Sequence, residues 1–300
     1  MLFALAAALL GGFRSGDREV HRVVLAPGDT MVATSEGTGA SVVFVPGLLG
    51  NSYGFRRVAP ALADSGYYTL IVEPLGTGNS SRPRKADYTL EAQARRVAET
   101  MDRLGIAEAY FVCHSVGTSI CLRLALLQPA RVRGIVSING GPDERAGTPG
   151  LKTAIRLKPL LKLLGAGRII RGRIKGGLKE SSADPAWVTK DVVAGYTTPF
   201  RNLDGALRAY QAMSDAVEPD SLAPRLPRVS APVLLLVGTG SRKGRPSPAS
   251  VGALAAGLPR FTADTIRNAG QYIQEEQPDS VVAALQRLSG GQASGSDGGR

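Results

Sequence analysis

Short apolar runs and longer stretches of three- and four-residue periodicity alternate along most of the chain. The runs Val42-Val43-Phe44-Val45, Tyr68–Val72, Ala109–Val112, Gly134–Ile138 and Val233–Val237 carry no charge and predict buried strands. Helical spacing runs through Leu90–Leu104 and Val116–Leu127, between those strands. Upstream, Val20–Leu25 and Thr30–Thr34 flank Pro27-Gly28-Asp29, the pattern of a hairpin. Uniformly apolar strands separated by helices predict an α/β fold, with a mostly parallel central sheet covered by helices on both faces.

The alternation stops after Ile138 and resumes at Val233. The chain is therefore expected to divide into an apolar N-terminal segment (1–19), a core (20–142 and 229–288), an inserted helical cap (143–228) and a tail (289–300). The tail, SGGQASGSDGGR, is Gly/Ser-rich and is expected to be disordered. The N-terminal run MLFALAAALLGGF is shorter than the ~20 apolar residues that span a bilayer. It lacks a basic leader and a clear cleavage site, so a helix lying on a membrane or on the protein itself is favoured over a secretory signal.

Composition adds two constraints. The 36 Lys+Arg against 25 Asp+Glu give a net charge of +11, but the excess is local. Residues 151–179 hold Lys152, Arg156, Lys158, Lys162, Arg168, Arg171, Arg173, Lys175 and Lys179 and no acid, so the rest carries only 11 − 9 = +2. These cations share helical spacing with leucines and isoleucines, in a helix broken by Pro159 and glycines. Two readings stand: a lid that docks on an anionic membrane together with the N-terminus, or a cap helix whose charges face water. No aromatic residues interleave with the charges, which argues against nucleic acid. The expected location is cytoplasmic, membrane-peripheral if the lid docks; a secreted or periplasmic one is disfavoured.

The second constraint is that the chain has only two histidines, His21 and His114. Histidine-rich metal sites are excluded, no metal or other cofactor is implied, and any imidazole chemistry must use one of these two. Two cysteines cannot build a disulfide framework; Cys113 and Cys121 are expected to be buried, unpaired thiols.

The segment Cys113-His114-Ser115-Val116-Gly117 falls between a predicted strand and a predicted helix. A serine in a sharp strand-to-helix turn exposes its hydroxyl, and the next N–H points toward a reacting oxygen. Together with Pro46-Gly47-Leu48 and Glu73-Pro74-Leu75-Gly76-Thr77-Gly78-Asn79-Ser80, this segment resembles the α/β-hydrolase superfamily in its esterase, epoxide-hydrolase and haloperoxidase-like branch. Gly76-Thr77-Gly78 alone would suggest a dinucleotide loop, but it lacks the third glycine and follows the wrong strand. The resemblance implies Ser115 as nucleophile and the N–H groups of Leu48 and Val116 as oxyanion hole.

The family places an acid and then a histidine after the serine. The acid position, three residues after Gly238, is Ser241; the histidine position, in Ala269-Gly270-Gln271 before Glu276-Gln277-Pro278, is Gln271. Glutamine does not titrate and cannot take the Ser115 proton. His114 is expected to pack away from the nucleophile and His21 to sit on the surface of the hairpin. Asp143, where some relatives keep their acid, reads as a solvated loop carboxylate. Trp187, Tyr196, Phe200, Tyr210 and Met213 are expected mainly to form the cap's own core, with lining of an apolar cavity as the alternative. The resulting expectation is an α/β-hydrolase fold that binds a small apolar or acyl-type ligand with little or no hydrolysis. An active serine hydrolase with a non-standard base, and a lyase or isomerase using the same pocket, are the alternatives.

Overall fold

A computed structural model of the 300-residue chain describes residues 18–26, 28–146 and 166–293. The N-terminal apolar run, Pro27, residues 147–165 and the end of the tail lie outside the described residues. The strands are β1 (Glu19–Ala26), β2 (Asp29–Glu36), β3 (Ala40–Val45), β4 (Tyr67–Glu73), β5 (Ala109–His114), β6 (Val132–Ile138), β7 (Val233–Gly238) and β8 (Phe261–Ile266). They form one sheet in the order β1-β2-β4-β3-β5-β6-β7-β8. The β1–β2 and β2–β4 pairs are antiparallel and the rest parallel, so the expected fold class holds.

Helices cover both faces. On one lie α1 (Ala59–Asp64), α8 (Ile273–Glu276) and α9 (Pro278–Ala293), packed through Leu62, Ile273, Val281 and Leu285 against Val42, Phe44, Val112 and Val136. On the other lie α2 (Leu90–Arg103), α3 (Gly117–Leu127) and α7 (Pro248–Gly257), packed through Val97, Ile120 and Leu254 among Val43, Phe111 and Leu235. Strand residues alternate between these two cores, which is why the strands read as continuous apolar runs. Between β6 and β7 the chain forms α4 (Ala166–Glu180), α5 (Lys190–Thr197) and α6 (Leu203–Asp215).

Several expectations are corrected. Cys113 and Cys121 are joined in a disulfide, because α3 folds back on β5 and brings their Cα atoms within 6.8 Å. The tail is helical at its start: α9 continues through Ala293, and the Tyr67 hydroxyl shares a 2.7 Å hydrogen bond with Ser289. Tyr210 and Met213 belong to the main core rather than to a core of the insertion, and Phe200 packs against the same cluster. The insertion's own small core is Leu178, Val188, Val192, Val193 and Tyr196, with Trp187 against it.

Candidate functional site

The site forms where β3, β5, β6, β7 and β8 end. Ser115 follows β5 in a left-handed conformation, φ 52°, and its N–H donates to Ile138 at 2.9 Å. A serine in this region is strained by about 1 kcal/mol. The turn closes because Gly117 lets α3 lie directly on β3: a Cβ there would come within 2.4 Å of the Val45 carbonyl oxygen. Gly47 is nearly as close, since a Cβ would stand 3.2 Å from Ser115 Cβ and from His114 Nδ1. Among the described residues, neither the Leu48 nor the Val116 N–H is engaged by another group, and none accepts a hydrogen bond from the Ser115 hydroxyl.

Two cavities meet at Ser115, Leu48 and Gly244. The larger, about 580 Å³, is walled mainly by Pro46–Asn51, Gly54, Phe55, His114, Tyr196, Gln271, Tyr272 and Gln274. The smaller, about 340 Å³, adds Val116, Asn139, Asp143, Arg145, Arg245, Ser247 and Ser250. Ser115 and Gln271, distant in sequence, therefore share a wall. Ser241 lines neither cavity: its hydroxyl donates to the Glu180 carbonyl at 3.0 Å. Gly244, with φ +80°, lies against Gln271, where a Cβ would come within 2.6 Å of Gln271 Cδ.

His114 is buried on the β5 face opposite Cys113, with Nε2 3.0 Å from the Gln271 carbonyl. Burial pushes its pKa down to about 4, the carbonyl contact only partly opposing this, so the ring is neutral. It thus has a structural tie to the Gln271 loop and no bond to Ser115. Asn139, in the left-handed region at φ 48°, holds the same loop from the other side. Its amide donates to the Gly270 and Gln271 carbonyls at 2.9 and 3.2 Å and accepts from the Gly238 N–H at 3.1 Å. Sequence reasoning missed Asn139; the Asn139-Gly140-Gly141 turn after β6 is the signal that could have found it. His21, by contrast, lies on β1, far from this site in the sheet order, with Nε2 2.7 Å from Ser35 Oγ.

Asp143 is not a solvated loop carboxylate. It is half-buried, and desolvation raises its pKa despite the opposing charge of Arg123. Arg123, itself 1% exposed, reaches out of α3 to Glu144 at 2.7 Å and Glu218 at 3.1 Å and donates to the Asp143 carbonyl, pinning this segment beside the elbow. Beyond the larger cavity, Glu275 accepts from Arg56 at 2.5 Å and from the Tyr196 hydroxyl at 2.7 Å. Burial raises the pKa of Glu275, partly offset by Arg56, and holds the Tyr196 hydroxyl well above its ordinary range. No cluster of metal-ligating side chains occurs among the described residues.

This architecture is that of a known family. The family profile described as alpha/beta hydrolase fold matches residues 40–159. The chain is 35% identical over 136 residues to Lipase 3 of Moraxella sp. (strain TA144), a match spanning 44% of this chain and 42% of the lipase. It is 30% identical over 268 residues to the magnesium-chelatase 30 kDa subunit of Rhodobacter capsulatus, spanning 85% of this chain and 88% of that protein. The crystal structure of Cfl2 from Burkholderia cenocepacia superposes with a TM-score of 0.73 at 24% identity, covering 92% of this chain and 97% of that one. The chain belongs to the α/β-hydrolase family.

Proposed function

We propose that this protein binds a small, largely apolar ligand beside Ser115 and turns it over little or not at all. The observation that carries the reading is the surroundings of the Ser115 hydroxyl. Among the described residues no group hydrogen-bonds to it, and the residue at the family's histidine register, Gln271, does not titrate. Removing a triad histidine costs on the order of a million-fold in rate, leaving ~10³–10⁴ over water from oxyanion donors and binding. The unengaged N–H groups of Leu48 and Val116 are then suited to hold a ligand oxygen. The name of the chelatase subunit, which matches over most of both chains, agrees with a use of the fold other than hydrolysis.

The competing reading, a working ester or lipid hydrolase, draws support from Asp143, because its half-buried carboxyl, with its pKa raised by desolvation, shares the smaller cavity with Ser115. One experiment separates them. The purified protein is treated with a fluorophosphonate probe, alongside Ser115→Ala and Asp143→Asn. Labelling no faster than in Ser115→Ala supports the binding protein. Rapid stoichiometric labelling at Ser115 overturns it, and loss of that labelling in Asp143→Asn assigns the base.

We also infer that α4 faces an anionic membrane. Arg168, Arg171, Lys175 and Lys179 are exposed along one stripe of this helix, while Ile174 and Leu178 on the neighbouring face pack inward. Each such cation contributes up to ~1 kcal/mol close to an anionic bilayer. Co-sedimentation with phosphatidylglycerol vesicles, lost in Arg171→Glu/Lys175→Glu, is expected. Equal retention on phosphatidylcholine vesicles, or none on either, would refute the inference.

A further inference from the structure

The walls of the larger cavity carry polar groups that the protein itself does not satisfy. Gln271 is 8% exposed and Gln274 2%, yet neither side-chain amide bonds to another described residue, and the Oε1 of each is buried without a partner. Asn51, 3% exposed, donates its Nδ2 to the Gly195 carbonyl at 3.0 Å, which fixes its orientation and leaves Oδ1 unpartnered. The Tyr272 hydroxyl has no partner among the described residues either. All four residues line the cavity that holds Ser115.

Burying an amide without a partner costs roughly 1–3 kcal/mol per group, and native interiors seldom carry several together without a reason. Elsewhere this fold satisfies its buried amides: Gln93 pairs with both the Leu75 N–H and carbonyl, and Asn139 makes three hydrogen bonds through both ends of its amide. The unpartnered amide oxygens, those of Asn51, Gln271 and Gln274, all lie at this one cavity. Lys243 is the one charged residue among those lining this cavity. It is paired with Glu180, while His114 is neutral and the Tyr272 hydroxyl is held protonated by burial. Glu275 lies behind Tyr196, which bonds to it, and is not itself a wall residue.

We propose that the cavity recognises an uncharged ligand with an amide-type head group on an apolar body, read by the side-chain amides of Gln271 and Gln274 with Asn51. An amide offers a donor and an acceptor on one plane, and a glutamine side chain matches both at once. A carboxylate would meet only Lys243, whose charge is already paired with Glu180, and a ketone or ester would leave the buried amide oxygens unpaired. The proposal rests on the reading of this cavity as a ligand site.

The experiment measures binding of three probes of matched length, octanamide, nonan-2-one and octanoate, to the full chain by isothermal titration or ligand-observed NMR. Octanamide is expected to bind about tenfold more tightly than nonan-2-one, the difference two net hydrogen bonds make. Octanoate is expected to bind more weakly than the amide. In Gln274→Met the amide's advantage should fall while nonan-2-one binding is retained. Equal binding of amide and ketone, or tighter binding of octanoate, overturns the head-group assignment and leaves the binding-protein reading intact. An advantage kept in both Gln271→Met and Gln274→Met overturns the assignment of these residues. Binding of none of the three to the folded protein overturns the reading of the cavity as a ligand site. The wild-type series alone decides the head group if a variant does not fold.

Discussion

The two halves of the site differ in kind. The half built by β3 and β5 has close backbone contacts and a strained serine: Gly117 lies against Val45, Gly47 lies against Ser115, and no described group engages the Leu48 and Val116 N–H groups. The half built by the loops after β7 and β8 holds Gln271 against Gly244 and turns Ser241 away toward Glu180. In the first half no described group accepts a hydrogen bond from Ser115. The second is positioned as carefully, by His114 and Asn139, yet carries amides where proton transfer would need a titratable group. Strain kept in one half, beside amides in the other, is the arrangement that the proposed binding of a ligand oxygen would use.

The largest test of that contrast restores the missing half. Gln271→His with Ser241→Asp is expected to raise hydrolysis of a short p-nitrophenyl ester at least a hundredfold over Ser115→Ala, the lower end of what a positioned general base contributes. Because Ser241 does not line the cavity, Gln271→His alone is expected to supply part of this gain, and the second substitution to add less than in a site whose acid already faces the base. No gain from the pair would mean that the elbow half is also unfit for attack, and the comparison would fail.

Next in size is a test of the elbow's construction. Gly117→Ala places a Cβ 2.4 Å from a backbone oxygen that cannot move without shifting β3. A loss of about 3–5 kcal/mol, at the upper end for single substitutions, is expected from chemical denaturation. A loss under 1 kcal/mol would show that α3 and β3 are free to separate, and the elbow half would no longer be the rigid one.

The other half should show its dependence on His114 through pH. The folded pKa, about 4, lies below the ordinary 6.5. The unfolded chain therefore takes up a proton that the folded one refuses. The stabilising difference is fully present above pH 6.5 and is lost as pH falls toward 4, by about 3 kcal/mol over that interval. Measured against His114→Gln, which cannot titrate, wild-type unfolding free energy should fall more steeply across pH 6.5 to 4. Parallel profiles would show that the ring is reached by solvent and does not anchor the Gln271 loop.

How much of this was legible in the sequence depended on where each residue's environment comes from. Strands β3 to β7 are buried on both faces, so their apolar runs announced them. Strand β8, Phe261-Thr262-Ala263-Asp264-Thr265-Ile266, is an edge strand with exposed alternate positions and gave no such run. Ser115 and Gln271 were found because motifs fixed their register. Asn51, Gln274 and Asn139 were not, because their meaning arises only where loops after β3, β6 and β8 converge. The disulfide was equally invisible, since only the antiparallel return of α3 on β5 brings Cys121 back to Cys113.

The smallest effects separate strain that serves a site from strain that serves the fold. Ser115 and Asn139 occupy the same backbone region, at φ 52° and 48°, where glycine is freed of the Cβ penalty. If conformation were all, replacing either by glycine would stabilise the protein. Asn139→Gly instead removes three buried hydrogen bonds to the loops after β7 and β8, and a net loss of about 2 kcal/mol is expected. The Ser115 hydroxyl bonds to nothing among the described residues, so Ser115→Gly should gain about 1 kcal/mol, seen as a rise of about 2 °C in Tm. A gain at Ser115 with a loss at Asn139 would mean that the serine is held at a stability cost no fold contact offsets, as expected of a residue kept for what it does to a ligand. A loss at Ser115 would instead make its hydroxyl part of the fold.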